Sequence, residues 1–237
     1  MPLSANQPYQ QILNLKLSDR DDFSSFVPGR NQQIVQTLRE AVDSITHEFY
    51  FLFGPHGCGK THLLNALFQT KSAKLNNCFF LDLNVARNIG AFALEINLPK
   101  IVILDNVDSI AGDEGFELAL FALFNRWYDS RQGTLIMSSS QSFDTIAYAK
   151  RDLNTRMSSG VMMQMEYLTE NDCVEALKIR AKERGFNLPD NTASFLVRHC
   201  NHDMRSLVKL LDTLDKAQLE HSHELTIPFV KMVLSMN

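Results

Sequence analysis

The chain has 237 residues, 45% hydrophobic and 21% charged, enough apolar material for one large core or two small domains. Its formal charge of −4 argues against a protein held to DNA mainly by phosphate contacts. No secretory-signal pattern, membrane-length apolar run or C-x-x-C pair occurs, so a cytoplasmic protein with reduced thiols and no membrane partner is expected. The residues up to about Ser18 read as a polar tail. Within it, Leu13, Leu15 and Leu17 alternate with polar residues behind Gln10. An extended peptide of this kind can dock in another protein's groove, with Gln10 hydrogen-bonding and the leucines filling pockets. A mobile arm or an added edge strand fits the spacing as well.

The segment Phe23 to Asn31 reads FSSFVPGRN, with a turn at Pro28-Gly29. A helix is predicted from Asn31 towards His47, carrying Ile34, Leu38 and Val42 on one face. The apolar run Phe49 to Phe53 reads as a buried strand, and it leads into GPHGCGKTH, Gly54 to His62. That stretch satisfies the phosphate-loop pattern G-x-x-x-x-G-K-[ST], and Leu63, Leu64, Ala66 and Leu67 continue at helical spacing. Gly57 and Gly59 let the backbone wrap an anion so that successive N–H groups point inward. Lys60 would reach the β- and γ-phosphates, and the Thr61 hydroxyl would hold Mg²⁺. Cys58 reads as a small filler.

A second strand fits Cys78 to Leu83, followed by a short helix near Val85 to Phe92. The third strand, Ile101 to Asp105, runs four apolar residues into an acid at the strand end where α/β sheets bind ligands. Beside a phosphate loop, Asp105 would help hold Mg²⁺, usually through water. The next residue, Asn106, stands where many hydrolysing enzymes place an acid. It can orient water but cannot accept its proton. A helix from Phe116 to Tyr128 reads as core packing. A fourth strand over Thr134 to Met137 ends in Ser138-Ser139-Ser140, either a polar turn or a hydroxyl for the γ-phosphate. The DLNTR segment, Asp152 to Arg156, reads as a loop ahead of a fifth strand around Val161 to Met165.

From Leu168 only helical patterns remain. Thr169 with Asp172 reads as a cap and Gly185 as a stop. Asp190 and Asp203 read as further caps. Leu207, Leu210, Leu211 and Leu214 form an apolar face, and Thr226-Ile227-Pro228 opens a last helix. The expected organisation is a tail over 1–18, an α/β domain over 19–166 with a five-stranded parallel sheet, and a small all-helical domain over 167–237.

With these pieces placed, the chain resembles the AAA+ ATPases and, within them, the DnaA-related family. GPHGCGKTHLL is similar to the DnaA phosphate loop. FVPGRN resembles the segment that touches adenine, implying nucleotide contacts from Val27 and Pro28 as well as from Gly54, Pro55, His56, Gly57, Cys58, Gly59, Lys60, Thr61 and His62. DLNTR resembles the box carrying an arginine finger, at Arg156. HDMR, His202 to Arg205, resembles sensor 2, so Arg205 would reach the nucleotide from the helical lid. Ser138 or Ser140 would take the sensor 1 place. The resemblance implies ADP or ATP with Mg²⁺ as cofactors. No DNA-reading domain follows the lid before Asn237, so sequence-specific DNA binding is not expected. The resemblance is to DnaA-related regulators that inactivate the initiator. It implies DnaA and the sliding clamp, the β subunit of DNA polymerase III, as partners, the clamp docking on Gln10, Leu13 and Leu15. A homodimer stays open, as does the alternative of a helicase loader.

Overall fold

The structure is a computed structural model and describes residues 21–199, 204–221 and 225–235. Gln10, Leu13, Leu15, His202 and Asp203 lie outside the described residues.

Five strands form one parallel sheet: β1 (Phe49–Phe53), β2 (Phe79–Asp82), β3 (Ile101–Asp105), β4 (Thr134–Ser139) and β5 (Val161–Gln164), in the order β2-β3-β4-β1-β5. Alternation along the strands divides the core in two. Phe49, Phe51, Val102, Leu104, Leu135 and Met137 face one side. There they meet Phe116, Leu120, Leu123, Phe124 and Trp127 of one helix and Leu153 and Met157 of another. Tyr50, Leu52, Ile101, Ile103 and Ile136 face the other side, against Val35, Leu38 and Val42 and against Leu63, Leu64 and Leu67. A sheet covered on both faces needs apolar residues at successive positions, hence the unbroken runs in β1 and β3.

The helices in chain order are α1 (Gln32–Ser44), α2 (Lys60–Phe68), α3 (Lys71–Leu75), α4 (Leu83–Ala86), α5 (Glu114–Ser130), α6 (Arg151–Met157), α7 (Glu170–Glu183), α8 (Asp190–His199), α9 (Met204–His221) and α10 (Ile227–Ser235). The last four close around a separate core that includes Cys173, Leu177, Leu196, Leu211, Leu214 and Val230. α7 opens with a reciprocal capping box between Thr169 and Asp172. It stops at Gly185, whose positive φ of 87° lets the Phe186 amide return 3.1 Å to the Ala181 carbonyl.

Four expectations need correction. DLNTR is not a loop: it lies in α6, because Leu153 and Met157, four apart, bury together under the sheet. β4 continues through Ser139, and Ser138 and Ser139 are fully buried in the strand rather than exposed in a turn. Asp190 is the first residue of α8 rather than its cap. The helix near Val85 to Phe92 is two pieces, α4 and a 3-10 turn over Ala91–Leu94.

One buried carboxylate fixes where α6 begins. Glu117 of α5 is 1% exposed and accepts from the amides of Gly112 (2.8 Å), Ala149 (3.0 Å) and Lys150 (2.8 Å). Tyr148 adds a hydroxyl bond to the Val107 carbonyl at 2.8 Å. The segment after β3 and the segment before α6 are thereby held to one point. Glu117→Ala is expected to cost about 3 kcal/mol or more in urea unfolding, since several buried N–H groups lose their acceptor, with Glu117→Gln intermediate.

Candidate functional site

The order of the sheet brings the C-terminal ends of β1, β4 and β3 side by side, where parallel sheets present ligand sites. The loop after β1 rises into α2. Gly59 caps that helix at φ 98°, a conformation open to glycine at little cost, and leaves the first-turn amides of α2 facing outward. Lys60 is 6% exposed. Its ammonium donates to the carbonyls of Gly54 (2.7 Å) and Pro55 (3.0 Å) and lies 3.7 Å from the Cys58 sulfur. Burial pushes the Cys58 thiol up, with Lys60 opposing, so this cysteine is an inert filler.

Asp105 ends β3 with no exposed surface. Thr61 donates to one carboxylate oxygen at 2.6 Å and the Ser138 hydroxyl donates to the other. Burial raises the Asp105 carboxyl above its ordinary value; the bonds from Ser138 and Thr61 oppose that, and neighbouring Asp82 adds to it. Asp82 sits beside Asp105 in register on β2. Asn106, in the left-handed region at φ 58°, donates its side-chain amide to Asp82 (2.9 Å) and to Asp105 (3.1 Å). Its backbone N–H donates to Ser138 at 3.2 Å. Both hydrogens of the amide are thus committed between two carboxylates, a place that an acid could fill only by staying protonated, with one donor in place of two, or by adding a third negative charge.

A cleft of about 380 Å³ opens above these groups, between the α/β layers and the final helices. The lining includes Phe26 and Val27, the loop from His56 to His62, Asn106, and Arg180 and Arg205 from the helical part. Most residues singled out from the sequence therefore meet at one place. Pro28 does not line the cleft: its carbonyl accepts from the Asn31 amide at 2.9 Å, starting the turn before α1. Ser138 and Asp105 lie behind the cleft, reached through Thr61 and Asn106. Ser140 donates to Asp108 instead. Arg156 is elsewhere, half-buried on α6. Its guanidinium lies 5.5 Å from the ring centre of Tyr128, 5.9 Å from Phe121 and 6.0 Å from Phe124.

Asp82 and Arg180 also take part. Asp82 carried a signal, an acid ending an apolar strand as Asp105 does. Arg180, inside α7, carried none, because its partners Asp21 and His62 lie more than a hundred residues away.

The geometry defines a phosphate-loop module of AAA+ type: a five-stranded parallel sheet, a glycine-rich loop between β1 and α2, and a helical lid over the cleft. The comparisons place it more narrowly: the chain belongs to the family of the bacterial DnaA ATPase domain, whose profile matches residues 17–164, and it carries an Hda lid domain over residues 170–234. An uncharacterized protein of Haemophilus influenzae is 33% identical over 94% of this chain and 98% of its own length. Domain III of the replication initiation protein DnaA from Thermotoga maritima superposes with a TM-score of 0.77 at 18% identity, covering 93% of this chain and 98% of that one. AMPPCP-bound DnaA from Aquifex aeolicus superposes at 0.69 and 19% identity, over 87% of this chain and 69% of that one. Among the described residues no helix is long and apolar enough to cross a membrane.

Asn106→Asp tests the two-carboxylate arrangement. A carboxyl whose pKa is raised on folding adds stability below its unfolded pKa and loses it as pH rises through the folded value. The variant is expected to be about 1–3 kcal/mol less stable than wild type, with a wider gap at pH 8 than at pH 5 by urea unfolding.

Proposed function

We propose that this chain is a regulator of replication initiation that holds an adenine nucleotide in the cleft and promotes hydrolysis of ATP bound to DnaA. The observation that carries the proposal is the pairing, in one chain, of a DnaA-type ATPase domain with an Hda lid. The phosphate loop, Lys60 and the α2 amides suit the phosphates of ADP or ATP. Mg²⁺ fits the donor set: Thr61 and Asp105 are hard oxygen ligands already in contact, and Asp105 would act through water because it is buried. The ion would neutralise phosphate charge. Val27 and Phe26 suit the base, and Arg205 would approach the phosphates from the lid.

In this reading Asn106 orients water without accepting its proton, so the chain keeps its nucleotide. The reaction is directed at a partner. Arg156 on α6 acts in trans at the γ-phosphate of DnaA-bound ATP, where a planar, permanently charged fork offsets charge developing in the transition state. The product, DnaA–ADP, initiates poorly. Docking of the tail through Gln10, Leu13 and Leu15 on the sliding clamp would confine this activity to loaded DNA in the cytoplasm.

Lys60→Ala is expected to abolish ADP binding in calorimetry while the fold, read by circular dichroism, is kept; undiminished binding would refute the nucleotide assignment. Arg156→Ala is expected to retain ADP and clamp binding yet lose roughly 10³-fold in stimulated DnaA ATP turnover, with Arg156→Lys recovering little. Stimulation within a few-fold of wild type would remove the finger.

A further inference from the structure

The cleft has a second polar cluster, away from Asp105, joining three stretches distant in sequence. Arg180 reaches from α7 of the lid to the Asp21 carboxylate and, at 3.2 Å, to Nδ1 of His62. Asp21 also accepts from the side-chain amide of Asn65 at 3.3 Å. His62 and Asn65 belong to α2, the helix that begins with Lys60 and Thr61. The cluster is largely out of water, with side-chain exposures of 14% for Arg180, 16% for Asp21 and 19% for His62. All three residues line the cleft. The lid pairs Lys178–Asp190, Arg184–Asp212 and Arg198–Glu170 stay within the lid, whereas Arg180–Asp21 crosses to the α/β part.

The chemistry fixes the state of His62. Arginine only donates, so Nδ1 must be the acceptor and the neutral ring carries its proton on Nε2. That proton faces the Asp22 carbonyl at 3.2 Å and the Ser25 hydroxyl at 3.3 Å. Phe26 meets the ring edge-on at 5.0 Å between centres. One histidine therefore joins the lid, the segment leading to Val27 and the helix behind the phosphate loop.

We propose that Arg180, Asp21 and His62 form a latch that holds the lid against α2 and thereby sets how tightly the cleft retains its nucleotide. Arg180 acts as a positioning residue, through His62 and Asp21 rather than through the ligand. This rests on the cleft being a nucleotide site. If only the latched lid binds well, apparent affinity scales with the latched fraction. Within the lid Arg180 also pairs with Glu183 at 3.5 Å, so removing Asp21 takes away the ionic tie to the α/β part and leaves the one inside α7.

The test titrates the full chain with a fluorescent ADP analogue and Mg²⁺ and follows hydrogen exchange along α7 and the first turns of α2. Arg180→Ala is expected to weaken binding at least tenfold, within the usual range of coupling between sites, and to raise exchange in both helices. Arg180→Lys, lacking the fork, recovers part of the loss. The exchanged pair Asp21→Arg with Arg180→Asp recovers more than either single change. Should Arg180→Ala not fold, Asp21→Asn is the milder probe, with the same direction expected in affinity and exchange. Arg180→Ala binding within twofold of wild type overturns the latch. Weaker binding with unchanged exchange in α7 and α2 also overturns it, because Arg180 would then contact the ligand directly. Wild type that fails to bind the analogue overturns the nucleotide reading and the latch with it, whereas normal wild-type binding abolished by Lys60→Ala isolates the latch as the point at issue.

Discussion

A carboxylate with no exposed surface requires hydrogen-bond donors around it, and Asp105 determines much of what surrounds it. Thr61, Ser138 and Asn106 each supply a donor, from α2, β4 and the residue after β3. That demand explains why a hydroxyl is tolerated inside β4. It also favours Asn106 in a left-handed turn, where its amide can bridge Asp105 and Asp82. The phosphate loop is thereby coupled to the ends of three strands through Thr61. In the proposed function, a cation near Thr61 would offset the cost that burial places on the Asp105 charge.

Much of this was readable from the chain. The apolar runs of β1 and β3 are long, bounded by glycine or an acid, and covered on both faces, so composition alone marks them as buried parallel strands. The phosphate loop was legible because its function depends on local backbone and on residues adjacent in sequence. Less was legible where a role depends on packing. α6 is short, and its two buried residues, Leu153 and Met157, give only one turn of periodicity. Ser138 looks like turn chemistry until its partner across the sheet is known. Arg180 looks like any lysine or arginine on a lid helix until the lid closes over α2. Pro28 shows the reverse: the motif draws attention to it, but the cleft is lined by Phe26 and Val27.

Arg180 and Arg156 suggest a division of tasks. Arg180 lines the cleft and bonds to Asp21 and His62 across it. Arg156 lies against aromatic rings of α5, on the helix whose start Glu117 and Tyr148 anchor to the turn after Asp105. In the two proposals, Arg180 would help keep a nucleotide in and Arg156 would meet a partner. In the proposed function the chain's own hydrolytic machinery is therefore muted while its effect on a neighbour is retained.

The most direct test is a single-turnover assay of the full chain alone, loaded with ATP and Mg²⁺. The expected result is that bound ATP persists, with hydrolysis on the order of 10⁻³ s⁻¹ or slower, the range of phosphate-loop proteins acting without an added arginine. Conversion of bound ATP to ADP at about 1 s⁻¹ or faster by the chain alone would contradict a site built to hold rather than to hydrolyse.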